Sequence, residues 1–179
     1  IHLSDLWAKP VEEIFIFPRG QNLVRLGAYC LMPNHLHLLV KECRDHGISL
    51  FMQKLFTAYS MYFNKKHTQT GNLFERPFKS KHVDSDQYLR YLLAYIHLNP
   101  VKIKDPDGWA GKRIKDVFSA ETFLRSYRFS SLPYYLGEKR PEDQVLQTGS
   151  FPDYFTGVHE FKFFLRDWIN VEEEASMSR

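Results

Sequence analysis

Between Leu23 and Val40 two strand-like runs are separated by only three residues, Met32-Pro33-Asn34. Leu23–Leu31 and His35–Val40 are short, apolar-rich and bounded by turn residues, so each reads as a strand. A link this short joins antiparallel neighbours, because a parallel pair needs a crossover of a dozen residues or more. The chain is therefore expected to carry a β-hairpin. Alternation along the second strand puts His35 and His37 on one face and Leu36 and Leu38 on the other. Two neutral imidazoles side by side supply half a coordination shell for a divalent cation. The same alternation also suits two polar side chains on the wet side of a strand.

The rest of the chain is predominantly helical in pattern. Ser49 is placed to cap a helix reaching about Lys66, with Leu50, Leu55, Phe56, Tyr59 and Phe63 as its apolar face. Lys65 to Gly71 is polar and reads as a loop. Asp84 or Ser85 caps a second helix that runs to Leu98 or Asn99, where Pro100 helps to end it. On that helix Tyr95 and Asn99 are four apart and share a face, so a hydroxyl and an amide could both meet a cation held by the histidines. Tyr88, Tyr91 and Tyr95 could equally pack the helix onto a sheet, and periodicity does not separate Tyr91 from Tyr95. Residues 102–116 read as a surface excursion. Phe118–Leu136 is aromatic and basic, and either faces a nucleic acid or completes the core. Residues 137–150 form a polar connector, and a final amphipathic helix is expected from about Val158 to Ile169. Leu3, Leu6, Trp7 and Val11 could line a short helix that Pro10 interrupts.

Charge narrows the partners. The net charge is only +3, yet residues 54–81 hold six basic side chains (Lys54, Lys65, Lys66, Arg76, Lys79, Lys81) against one acid, Glu75. Such a patch can follow phosphates, as Arg125 and Arg128 can, or it can be a solvated face. Cys30 and Cys43 do not make a disulfide framework, which fits a reducing compartment. No run approaches 18 apolar residues.

Three blocks, in order, carry a family resemblance. Tyr29-Cys30-Leu31-Met32-Pro33-Asn34-His35-Leu36-His37-Leu38-Leu39 resembles the signature of the single-tyrosine, histidine–hydrophobe–histidine (HUH) transposases of the IS200/IS605 type. Gly71-Asn72-Leu73-Phe74-Glu75-Arg76-Pro77-Phe78-Lys79-Ser80 is similar to a second block, and Tyr95-Ile96-His97-Leu98-Asn99-Pro100-Val101-Lys102 to a third. The third, with Phe129-Ser130-Ser131 to Tyr135-Leu136-Gly137, points to the REP-associated tyrosine transposase branch.

The resemblance implies an α+β, ferredoxin-like antiparallel sheet with helices on one face, the HUH endonuclease fold, over residues 1–137, with a C-terminal helical extension over 138–179. It implies cleavage and rejoining of single-stranded DNA near hairpins through a 5′-phosphotyrosine intermediate, with Mg2+ or Mn2+ as cofactor. It assigns Tyr95 as nucleophile and His35, His37 and Asn99 as metal ligands; at the place of Asn99 the insertion-sequence relatives commonly carry glutamine. His97, two residues from Tyr95, is left off the metal. Lys65, Lys66, Arg76, Lys79, Lys81, Arg125 and Arg128 are the expected DNA contacts. The expected setting is the bacterial cytoplasm, on the nucleoid, as a homodimer or a monomer. The competing expectation is a hairpin-binding protein without cleavage. Relatives also begin with a strand and a long helix before the equivalent of Val24. Only 23 residues precede Val24 here, with Phe15–Phe17 as the candidate first strand.

Overall fold

The computed structural model describes residues 9–16, 20–75, 77–106 and 114–170. The expected hairpin is present. Strands β1 (Val24–Leu31) and β2 (Leu36–Glu42) form a two-stranded antiparallel sheet. Its turn is closed by the Met32 amide donating to the His35 carbonyl at 2.8 Å. With the helices described next, this makes the chain α+β. The chain divides into two compact units, residues 1–25 with 40–82, and residues 26–39 with 83–179.

In the first unit, Phe15 does not belong to a strand. Helix α1 (Val11–Phe15) includes it, Ile16 is a turn, and Phe17 lies outside the described residues. Pro10 stands at the start of this helix, where its missing amide is not needed, and Leu3, Leu6 and Trp7 of the expected short helix lie outside the described residues. The Pro10 carbonyl accepts from Glu13 and Ile14 at 3.1 and 3.2 Å. Glu12 and Glu13 then sit in the first turn, where the helix dipole favours acids.

Helix α2 (Gly47–His67) starts two residues before Ser49, and Ser49 is not its cap. The Glu42 carboxylate accepts from the Ile48 amide at 3.1 Å and does the capping from a distance in sequence. Gly47 is buried, and a Cβ there would run into the Leu23 carbonyl oxygen, so this close approach excludes any side chain. The helix ends at His67, next to the expected Lys66. Lys65, Lys66 and His67 form its last turn, where cations suit the dipole, and Thr68 stops it in the left-handed region at φ 53°. Met52 is its most buried side chain, Phe56 stacks on Phe74 at 4.1 Å, and Tyr59 remains 49% exposed.

The second unit is built around helix α3 (Asp86–Leu98), capped by Ser85, whose hydroxyl accepts from the Tyr88 amide at 3.3 Å. This helix has two apolar faces. Leu89, Leu93 and Ile96 pack on Ala28, Cys30 and Leu39 of the hairpin. Ala94 and Leu98 pack with Val101, Leu124, Leu132, Phe161, Leu165 and Ile169. Full burial of a Leu, Ile or Phe contributes roughly 1.5–3 kcal/mol, so these contacts fix the helix on the sheet. Apart from Val101, the partners on the second face come from α5 (Val117–Ser126), α6 (Leu132–Tyr135) and α7 (Val158–Asn170). The Phe118–Leu136 stretch thus completes the core through Ala120, Leu124 and Leu132, while Phe118 and Phe129 stay exposed.

As expected, α3 ends at Leu98, just before Pro100. Asn99 and Pro100 both keep right-handed helical angles, and α4 (Val101–Lys104) follows at once. Residues 107–113 of the expected surface excursion lie outside the described residues, but Ile114 is core. The 137–150 connector is pinned down: Leu146 bridges Leu26 of β1, and the Arg140 guanidinium donates to the carbonyls of Ser130 and Arg128 at 2.8 and 3.1 Å.

His97 is fully buried on α3 between the rings of Tyr135 and Phe161. Its Nε2 lies 2.8 Å from the Ser131 hydroxyl, in a backbone pairing that ties Ser131 to Tyr29. Burial pushes this imidazole down to about 3. The unfolded chain therefore takes up a proton near 6.5 that the folded chain refuses, and stability falls as pH drops from about 6.5 toward 3. At pH 5 the expected loss relative to pH 7.5 is about 2 kcal/mol. His97→Gln should flatten that slope in denaturant melts across pH 7.5–4.5. The slope is the readout, so an overall loss of stability leaves the test legible.

Candidate active site

The hairpin register carries His37 onto the same face as buried Leu39, the face that α3 covers. His35 is exposed at the open end of that face and His37 is half-buried. Their Nε2 atoms converge to 3.1 Å, with the rings edge-to-face at 4.8 Å. Asn34 Oδ1 lies 2.6 Å from His35 Nδ1. Asn34 offers an acceptor there, so Nδ1 carries the proton and Nε2 presents its lone pair toward His37. Burial, then the neighbouring His35 ring and Lys102 ammonium, push the His37 imidazole down to about 4. It is therefore neutral at ordinary pH, the form that ligates.

Two imidazoles binding one ion at ~2.0–2.1 Å and at right angles would hold their nitrogens about 3 Å apart. The observed convergence fits that geometry. Among the described residues no group of three or more His, Cys, Asp or Glu side chains is gathered that could hold a metal. A third protein ligand of those kinds is thus missing from the described residues.

Helix α3 brings Tyr95 to the pair, its ring edge-to-face on His37 at 5.3 Å. Tyr91 lies against Tyr95 at 5.8 Å but turns to Trp168 of α7 at 5.4 Å, and burial raises its hydroxyl pKa. Asn99 is 1% exposed, and its amide nitrogen donates back to the Tyr95 carbonyl at 3.3 Å. Lys102 was not singled out by sequence pattern. Its Nζ stands 5.5 Å from the Tyr95 ring centroid. The signal was its seven-residue spacing from Tyr95, about two helical turns, across the end of α3.

The expected DNA contacts are divided between the units. Lys65, Lys66, Lys79 and Lys81 are exposed and belong to the first unit, and Arg76 lies outside the described residues. Arg125 and Arg128 are exposed in the second unit, Arg128 over the Phe129 ring at 5.5 Å. Among the described residues no helix is long and apolar enough to cross a membrane.

The hairpin thus sets two converging histidines beside a tyrosine of the helix that packs on it. The sequence profile described as "Transposase IS200 like" matches residues 2–99, more than half of the chain, and the chain belongs to that family. It is a transposase, an enzyme whose substrate is DNA. No curated protein and no solved structure matches it.

Proposed function

We propose that this chain cuts and rejoins single-stranded DNA near hairpins, with Tyr95 as nucleophile and His35, His37 and Asn99 as ligands of Mg2+ or Mn2+. The observation that carries the reading is the meeting of Tyr95 with the convergent His35–His37 pair. Tyr95 Oη attacks a phosphorus and the bond from phosphorus to the 3′-oxygen breaks. The phenol loses its proton and the departing 3′-oxygen gains one, leaving a 5′-phosphotyrosine diester and a free 3′-hydroxyl. A second 3′-hydroxyl reverses the attack, so the diester energy is kept and no nucleotide cofactor is required. A bound divalent ion would supply polarisation of the phosphoryl oxygens. Of the chain's own groups, Asn34 fixes the His35 tautomer, burial keeps His37 neutral, and packing on α3 holds the Tyr95 ring. The fold reading that accompanies this is the ferredoxin-like HUH sheet over 1–137 with a helical extension over 138–179, in the REP-associated branch.

Incubating single-stranded hairpin DNA with the protein and Mn2+ or Mg2+ should trap a covalent protein–DNA adduct. Absence of an adduct across varied hairpins, with cation binding intact, would favour the second reading, a hairpin-binding protein without cleavage. The basic run of residues 54–81 favours DNA contact under either reading. Lys79→Ala should lower the salt slope of hairpin binding by roughly 0.7, the share of one single-stranded phosphate contact. An unchanged slope and affinity would mark Lys79 as part of a solvated face.

A further inference from the structure

We propose that Lys102 is the phosphate contact of the Tyr95 site, its ammonium holding a non-bridging oxygen of the phosphate that Tyr95 attacks. The inference rests on the reading of Tyr95 as nucleophile and extends it to a residue outside the expected ligand set.

Three observations carry it. First, the backbone delivers Lys102 there. Asn99 and Pro100 retain helical angles and α4 follows α3 at once, which returns Lys102 to the side of Tyr95. Second, the charge lies over the ring that bears the hydroxyl. Lys102 Nζ is 5.5 Å from the Tyr95 ring centroid, and the same charge is felt at His37. Third, the cation has no acid partner among the described residues. Lys102 is half-buried, and among the described residues no carboxylate lies within ion-pair distance of it. Nearby Lys115, in contrast, reaches Asp105 at 3.9 Å. A partly desolvated ammonium beside an aromatic ring and the His37 imidazole is complementary to an anion, and a phosphodiester brings one. In phosphoryl transfer such a cation positions the group and offsets charge on its equatorial oxygens.

The bland account is a cation–π contact that only steadies the Tyr95 ring. Lys102→Ala and Lys102→Arg separate the two. A single-stranded hairpin oligonucleotide is used with Mn2+, and both single-turnover adduct formation at saturating protein and the salt dependence of binding are measured. Lys102→Ala should slow adduct formation on the order of 100-fold and reduce the salt slope by roughly 0.7. Mn2+ affinity should stay equal or tighten, since a positive neighbour of His37 has gone. Lys102→Arg should restore the slope and most of the rate. An alanine variant with wild-type slope and rate overturns the proposal. So does a slowed variant whose slope is unchanged and which arginine does not rescue. A wild-type protein that forms no adduct counts against Tyr95 chemistry, and the salt slope, read on binding alone, still decides Lys102.

Discussion

Tyr95→Phe is expected to abolish the covalent protein–DNA adduct while leaving hairpin affinity within about twofold, because only one hydroxyl is lost and no phosphate contact goes with it. The substitution keeps the ring that packs on His37 and Tyr91, so α3 should stay seated on the hairpin. The comparison that gives the result its meaning is Tyr91→Phe. Tyr91 lies one turn away on the same helix, but its ring meets Trp168 and burial raises its hydroxyl pKa. Tyr91→Phe should retain the adduct. Denaturing gels of labelled hairpin DNA with each variant, beside binding isotherms in chelator, provide both readouts. An adduct that survives Tyr95→Phe and disappears in Tyr91→Phe would move the nucleophile one turn back.

What sequence reading recovered, and what it missed, divides along locality. The hairpin and the Ser85 cap are encoded within a few residues of where they act, and both are found where expected. The start of α2 is not local. It depends on Glu42 reaching the Ile48 amide and on the Leu23 carbonyl pressing against Gly47, neither of which a Ser-first capping rule can see. The end of α3 at Leu98, just before Pro100, was legible as well. The short helix beyond it was not: a proline disfavours helical angles in the residue before it, yet Asn99 keeps them, with φ −52°, and Pro100 serves the start of the next turn. The same convergence problem applies to the site. Alternation can place His35 and His37 on one face, but only the packing of Leu39 with Leu89, Leu93 and Ile96 shows that this face lies under the tyrosine helix. The wet-strand alternative is thereby answered for His37, which is half-buried against Tyr95. It is also clear why His97 belongs to the core: its ring points to Ser131, Tyr135 and Phe161.

His35→Ala should weaken cation binding and remove adduct formation together. The geometry makes His35 the more instructive of the two histidines to change. It is exposed at the hairpin tip, so its loss leaves no buried cavity, whereas His37 is packed against Tyr95. A Mn2+ titration followed by electron paramagnetic resonance reads binding without DNA or turnover. Asn34→Ala supplies the graded control. It deletes the acceptor 2.6 Å from His35 Nδ1 and frees the ring to flip or change tautomer, but leaves Nε2 in place. Loss of such an outer partner typically costs roughly 10–100-fold in metal affinity. The expected order is therefore wild type tightest, Asn34→Ala weaker, His35→Ala weakest, with adduct yield at fixed Mn2+ following the same order. Raising Mn2+ should recover the Asn34→Ala adduct and not that of His35→Ala, because one variant retains both imidazoles and the other does not. An unchanged Mn2+ titration in His35→Ala with normal cleavage would remove His35 from the ligand set and leave the 3.1 Å contact as a hydrogen bond between two strand histidines.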